Sequence, residues 1–383
     1  MAGIYLHIPF CKQACYYCDF HFSTNHELKG ALVDSICKEI RDRQSYLDEK
    51  IETIYFGGGT PSLLGKHELM QILNQINSSF DIVDAAEVTL EANPDDLGES
   101  LLLDLKSVGV NRLSIGIQSF SNDILQSLHR VHDAQMAIEA YEQARRAGFD
   151  NINVDLIYAI PGESIDMLEK DLDIIIDLDP EHVSCYALTI EEKTVFGKWA
   201  KSGKFTPVDD EIGAEHFEKV MNSLMKAGFD HYEISNFSKV NYHSRHNSSY
   251  WQGKSYLGVG PSAHSYNRIT RRHNVSNNSV YIMSINSDQT YFEEETLTLE
   301  NKINEYLLTY LRTKWGCDSN YLLKELNYDI LVEHNQYLSK LQLDQYISID
   351  KGIIKLTQRG KLLADQIVAD LVLLNTNQDD YSN

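Results

Sequence analysis

No stretch of the chain approaches the roughly 20 consecutive apolar residues that a helix needs to cross a bilayer. The opening MAGIYLHIPFC carries no basic leader and no cleavage site, so no signal peptide is expected and the reading is a cytoplasmic protein. Positive charge is also scarce. Lysine and arginine total 34 against 56 aspartates and glutamates, a formal net charge of −22 over 383 residues. A field of that sign repels phosphate backbones and weighs against nucleic acid as a partner. It still allows a local basic pocket, for which the run RITRRHN at 268–274 is a candidate, with a solvated loop as the plain alternative. Isolated cysteines are few: Cys37, Cys185 and Cys317 are spaced unlike a disulfide framework and read as small buried hydrophobes in a reducing compartment.

The other three cysteines are crowded. In CKQACYYCDF, Cys11, Cys15 and Cys18 fall within eight positions, and Phe20 stands where a fourth could follow. Around them, β-rich runs recur: GIYLHIPF (3–10), TIYFGGG (53–59), EVTLEAN (87–93), RLSIGIQSF (112–120), NINVDLIYAI (151–160) and HVSCYALTI (182–190). A stretch with helical spacing of apolar residues follows each, as in AQMAIEAYEQARRAG (134–148), which closes on Gly148. Strand-then-helix repeats predict parallel strands with helical crossovers. Six such units, short of the eight of a closed barrel, predict an open (β/α)6 partial TIM barrel. The cysteines, the glycines, Glu91 and Gln118 all fall at carboxyl ends of these strands, where β/α folds build their sites.

Beyond residue 210 the pattern changes. The expected organisation is an α/β barrel core over 1–235 and a polar, aromatic loop and connecting region over 236–290. A mainly helical, winged-helix-like domain follows over 291–375, with a disordered tail over 376–383. The C-terminal unit ends in a hairpin and a helix, YISIDKGIIKLTQRGKLLADQIVADLVL.

Three thiolates on one loop suit an iron–sulfur cluster, and three ligands to a [4Fe–4S] cube leave one iron free for another molecule. Zinc stays open as an alternative, with His21 as a fourth ligand, as does a disulfide with a spare thiol. YFGGGTPS brings backbone N–H groups close to a ligand through Gly58 and Gly59, but it lacks the Lys-Ser/Thr of a phosphate loop. A tight turn explains it equally. Glu91 ends a strand and could hold ribose hydroxyls or cap a helix; Gln118 ends the next. Arg130 can grip a carboxylate with two N–H groups, and Asp155 sits in an apolar strand, where its charge needs a partner. Together they suit a ligand with an amino-acid end and a nucleoside end.

The ordered set YLHIPFCKQACYYCDF, IYFGGGTPSLL, EANPDD, RLSIGIQSF, LHRVHD, DLIYAIPGE and YLGVGPSAHS resembles the radical S-adenosylmethionine (SAM) superfamily. Over nearly the whole chain it is similar to the branch that holds oxygen-independent coproporphyrinogen III oxidases and haem chaperones. The resemblance implies that Cys11, Cys15 and Cys18 ligate a [4Fe–4S] cluster and that SAM occupies its open iron. It places Gly58, Gly59 and Thr60 beside the methionine part, with Glu91, Gln118, Arg130 and Asp155 on polar groups. Tyr5 and Tyr17 would line the cavity, with Ile157 and Ala187 by the adenine or sulfonium. For those aromatics, ordinary core packing is the alternative. The chemistry implied is reductive cleavage of SAM to methionine and a 5′-deoxyadenosyl radical.

Two departures favour the haem-chaperone branch. The oxidases carry a further cysteine where this chain has Phe20, and a long extension ahead of the cysteines where this chain has ten residues. HNSSYW, 246–251, matches an element tied to haem binding in that branch. By resemblance His246 is an axial ligand for haem iron, Tyr250 and Trp251 pack on the porphyrin, and Asn247 bonds nearby; His243 and His264 compete as ligands. Read without the resemblance, the element is a surface loop with two aromatic anchors. The implied partners are haem and a haem-accepting protein, with a membrane-bound respiratory one as candidate, and a homodimer. The enzymatic expectation is a protein able to cleave SAM and lacking coproporphyrinogen oxidase activity. The alternatives are that oxidase itself and a zinc-stabilised binding module.

Overall fold

The computed structural model describes residues 1–373, and the tail expected at 376–383 lies outside the described residues. Six strands carry the core: β1 (Ala2–Ile8), β2 (Ile51–Gly58), β3 (Ile82–Ala92), β4 (Arg112–Gln118), β5 (Ile152–Tyr158) and β6 (His182–Ala187). All five neighbouring pairs from β1 to β6 are parallel. Each crossover carries a helix: Lys29–Asp42, Lys66–Ser79, Glu99–Ser107, Ala134–Arg146 and Ile165–Leu178. The alternation of β1 shows why. Ile4, Leu6 and Ile8 are fully buried against helices such as Lys29–Asp42, which turns Leu32, Val33, Ile36 and Ile40 inward. Each such side chain contributes about 1.5–3 kcal/mol of burial. Tyr5 and His7 point the other way, into the lumen, where Tyr5 stacks on Tyr55 of β2. Helix starts are set locally: Asp133 and Ser164 accept the Met136 and Met167 amides.

The sheet extends past the six units at both ends. On the β6 side lies a short hairpin, β7 (Asp230–His231) and β8 (Asn236–Ser238), with β8 antiparallel to β6. On the β1 side, the region expected to be loop holds a helix, Arg245–Trp251, and three strands: β9 (Tyr256–Val259), β10 (His264–Tyr266) and β11 (Thr270–Asn274). β9 runs parallel to β1, pairing Gly3 with Tyr256 through Leu6 with Val259. A fourth strand, β12 (Phe292–Thr296), pairs antiparallel with β11. The result is one open twelve-stranded sheet, in the order β12-β11-β10-β9-β1-β2-β3-β4-β5-β6-β8-β7. Strands β9 to β12 have three to five residues and no apolar alternation, so no period marks them. The basic run 268–274 is no anion pocket. Its residues 270–274 form β11, and the acidic β12 faces them residue for residue, Arg271 against Glu295 and Arg272 against Glu294. Buried Glu39 ties this extension to the first helix, accepting from Arg43, Asn274, Tyr281 and the Gly260 amide.

From Leu299 onward the chain is mainly helical, with its own apolar core around Leu307, Leu322, Leu338 and Ile367. A three-stranded sheet completes it: β13 (Cys317–Asp318), β14 (Ile347–Asp350) and β15 (Ile353–Leu356). The β14–β15 hairpin turns on Lys351 (φ 50°) and Gly352 (φ 83°), a left-handed pair that matches strand twist. This unit is latched to the β7–β8 turn through Ile234 N–H to Arg312 O and Lys314 N–H to Tyr232 O.

Candidate functional site

The cysteine loop follows β1 and is closed on itself by Cys11 N–H to Ser23 O (3.1 Å) and Ser23 N–H to Pro9 O (2.7 Å). Loops after other strands grip it. Tyr16 donates its N–H to Leu128 O and accepts at its carbonyl from Phe196 N–H. The Tyr16 ring lies on that of His129 at 4.3 Å, while His129 Nδ1 donates to Ala14 O at 2.8 Å. An apolar cluster of Ile124, Leu128, Ile157, Ile160 and Phe196 packs beneath, with Tyr16 and Tyr17 against it. The loop is therefore held from outside its own sequence.

The three thiols are half-buried and unbridged. Cys11 Sγ accepts from Thr60 Oγ1 at 3.5 Å, and Cys15 Sγ from Arg130 Nη1 at 3.4 Å. Burial raises the Cys11 thiol and pushes Cys18 up to about 12; Cys15 adds to the first, and Cys15 and Cys11 add to the second. Among the described residues, no three His, Cys, Asp or Glu side chains already surround a common point. The loop thus presents three soft donors beside a cation, a donor set that fits an iron–sulfur cluster. His21, the candidate fourth zinc ligand, instead bonds Asn278 Oδ1 at 2.7 Å and stacks on His7.

Arg130 organises the mouth. Its Nη2 donates to Asn93 Oδ1 (2.6 Å) and Gly116 O (2.7 Å), and Asn93 Nδ2 donates to Thr60 Oγ1 (3.1 Å). Arg130, Asn93, Thr60, Cys11 and Cys15 thus form one chain of contacts. Asn93 was missed in the sequence, although it sits in the EANP stretch that drew attention to Glu91. Gln118 ends β4 with φ 73°, unusual backbone for a side-chain-bearing residue and of a kind that gathers at functional sites. Its amide lies over Gly116, next to Arg130.

Deeper in the lumen, Glu91 accepts from Tyr55 OH (2.8 Å) and Gly58 N–H (3.1 Å). Burial lifts its carboxyl to about 7, against the pull of the Tyr55 hydroxyl. Asp155 rises to about 6, again by burial, and is held by Asn153 Nδ2 at 2.6 Å. Gly58 has φ +105°, and a Cβ there would stand 2.6 Å from the His7 ring; at Gly59 it would meet the Ile8 carbonyl at 2.8 Å. Those glycines are required by the turn itself. Tyr5 lines this space, Ile157 is buried at its apolar edge, and Ala187 ends β6 exposed.

The HNSSYW element is the helix Arg245–Trp251, and its histidine departs from expectation. His246 is 1% exposed; Nδ1 bonds Thr53 Oγ1 at 2.7 Å and Nε2 bonds Tyr250 OH at 2.8 Å. Its ring stacks on Tyr55 at 5.0 Å. Both nitrogens are thus bonded inside the barrel, because the helix turns the ring inward while Asn247, Tyr250 and Trp251 line a cleft. That cleft is open to solvent and is walled also by Tyr186, Glu233, Ser235 and Asn236. Of the competing histidines, His243 bonds Asp230 Oδ2 at 2.7 Å, and His264 sits exposed on β10 against His273.

Comparison with known proteins fits this geometry. The model of the radical SAM superfamily matches residues 5–175. The chain is 32% identical to the heme chaperone HemW of Lactococcus lactis subsp. lactis over 374 residues, covering 97% of this chain and 98% of that one. It is 34% identical to the heme chaperone HemW of Bacillus subtilis, over 96% of this chain and 98% of that one. The solved structure of the coproporphyrinogen III oxidase HemN from Escherichia coli superposes with a TM-score of 0.84 at 21% identity, covering 97% of this chain and 90% of that one, a likeness of fold. A radical SAM barrel with near-full-length HemW relatives has one reading at the level of family. The chain belongs to the HemW family of the radical SAM superfamily.

Proposed function

We propose that this protein binds a [4Fe–4S] cluster through Cys11, Cys15 and Cys18, binds SAM across the strand ends, and carries haem for delivery to a haem-accepting protein. The observation that carries the reading is the pairing of two spaces in one barrel: a three-thiol mouth and a separate aromatic cleft. When bound, the cluster supplies an electron for reductive cleavage of SAM, chemistry that belongs to the cofactors. The chain's part is to bind and orient. Arg130 suits the SAM carboxylate, and Glu91 and Asp155 accept from hydroxyl and amino groups in a buried, polar lumen. The Gly58–Thr60 turn lets backbone approach the methionine part. The cleft, with Trp251 and Tyr250 on one wall, offers aromatic faces for a flat macrocycle. No helix among the described residues is long and apolar enough to cross a membrane, so a membrane-bound acceptor would be met by docking.

The test is one anaerobic preparation put to two assays. Haem titration should give a saturable Soret band, and incubation with SAM, reductant and coproporphyrinogen III should give no protoporphyrinogen. Turnover of coproporphyrinogen would replace the carrier reading by the oxidase reading.

A further inference from the structure

His246 being spent inside the barrel leaves a question that the cleft answers. We propose, building on the haem-carrier reading, that Tyr186 is the axial ligand to ferric haem iron.

Three residues of the cleft wall carry an oxygen able to ligate iron: Tyr186, Glu233 and Tyr250. Tyr250 OH is bonded to His246 Nε2 at 2.8 Å. Glu233 is 2% exposed, and its Oε1 accepts the Ser235 amide at 3.2 Å. Tyr186 is different. It lies on β6, a strand with neighbours on both sides, yet is 42% exposed. It lines the cleft. Its hydroxyl has Ser184 beside it as a protein partner. In the same wall Asn236 Oδ1 is buried without a partner among the described residues, an acceptor left for something the cleft receives.

The Tyr186 hydroxyl stands near carboxylates. The ring is open to the cleft, while desolvation at the hydroxyl, then the carboxylates of Asp155, Glu233 and Glu91, hold that hydroxyl above the ordinary tyrosine range. The free protein therefore keeps it as a neutral phenol. In hemin the ferric iron leaves one positive charge on the porphyrin unit, while the two ionised propionates make the whole molecule a net anion. On binding, the phenol oxygen forms the Fe–O bond, its proton leaves to water through the open mouth, and a weakly held axial water departs. Iron stays ferric and no electron moves. A phenolate oxygen is a hard, anionic donor and favours ferric over ferrous iron.

The experiment titrates hemin into full-length, cluster-loaded protein without oxygen and follows difference absorption and electron paramagnetic resonance spectra. Wild type should show high-spin ferric iron with a phenolate-to-iron charge-transfer band. Tyr186→Phe should lose that band and bind hemin at least about tenfold more weakly. Tyr186→His should restore tight binding with an imidazole-type spectrum. A wild-type spectrum in Tyr186→Phe overturns the assignment while leaving the carrier reading intact. Loss of binding in both variants, with unchanged thermal unfolding, also overturns it, since the substituted ligand should rescue. Wild type that binds no hemin sinks the carrier reading itself.

Discussion

The two halves of the lumen are built on opposite logic. At the cysteine mouth, the side chains support one another and still leave reactive atoms facing a shared space: Arg130 reaches Cys15 and Asn93, and Asn93 reaches Thr60. At the haem-motif helix, the conspicuous histidine is consumed by its neighbours, Thr53 and Tyr250, and the residues left facing the cleft are tyrosine, tryptophan and asparagine. The motif's histidine is placed as part of the packing of the helix against the barrel. Burial separates the cases. The cysteines are half-buried, whereas His246 is 1% exposed and its ring is held well below the ordinary histidine range, to about 3, chiefly by burial.

The largest expected effect falls on the mouth alone. Cys15→Ala should abolish stoichiometric iron and sulfide in anaerobically purified protein and bleach its brown colour, while hemin affinity changes less than about twofold, because the cleft shares no residue with the loop. Iron retained at wild-type levels would remove Cys15 from the cluster; hemin binding lost in parallel would show the two spaces to be one. Next comes His246→Ala. It deletes a stacked, doubly bonded ring and leaves the Tyr250 hydroxyl and Thr53 without partners, so urea unfolding should show a loss of about 2–4 kcal/mol. A loss below about 0.5 kcal/mol would mean that His246 is free to act as a ligand after all.

A smaller effect is expected at Asn93. Asn93→Ala removes one of the acceptors that aim Arg130 and should weaken SAM binding by about 5- to 30-fold in calorimetry, the equivalent of 1–2 kcal/mol, with cluster content unchanged. Unaltered SAM affinity would confine Asn93 to structure.

What the sequence disclosed, and what it hid, follows the same division. The six parallel strands were legible because each is a β-rich run followed by a stretch with helical spacing, with Glu91 and Gln118 at or next to strand ends, and the fold class rested on that repeat. Cys11, Cys15 and Cys18 were legible because three thiols in eight positions have few uses. The four strands β9 to β12 were not, because a strand such as FEEET is defined by its partner: its glutamates make sense only opposite Arg271 and Arg272. Asn93 and Tyr55 were hidden for a related reason. Their importance lies in contacts to residues 37 and 36 positions away, Arg130 and Glu91, which no local pattern encodes. The orientation of His246 needed the helix Arg245–Trp251 to be placed against β2 before its ring could be seen to point inward.

The subtlest effect concerns charge. Glu91 holds its proton up to about 7, against an ordinary value of 4.5 for a free glutamate. Between those pH values the folded chain keeps a proton that the unfolded chain has released, so this residue's contribution to stability falls as pH rises through that window. SAM binding should move the other way, since an ionised carboxylate accepts two hydroxyl protons and a protonated one donates one of its own. Wild-type SAM affinity should therefore rise between pH 6 and 8 by a few-fold, while the midpoint of thermal unfolding without ligand declines. Asp155, Glu233 and Glu163, raised to about 6, 7 and 8 by burial, push stability in the same direction, so the slope alone assigns nothing. The difference between wild type and Glu91→Gln does. The variant should flatten both curves over the window and keep the Tyr55 contact through its amide oxygen. Parallel curves for the two proteins would show that Glu91 is already ionised, and that the tyrosine and glycine donors outweigh its burial.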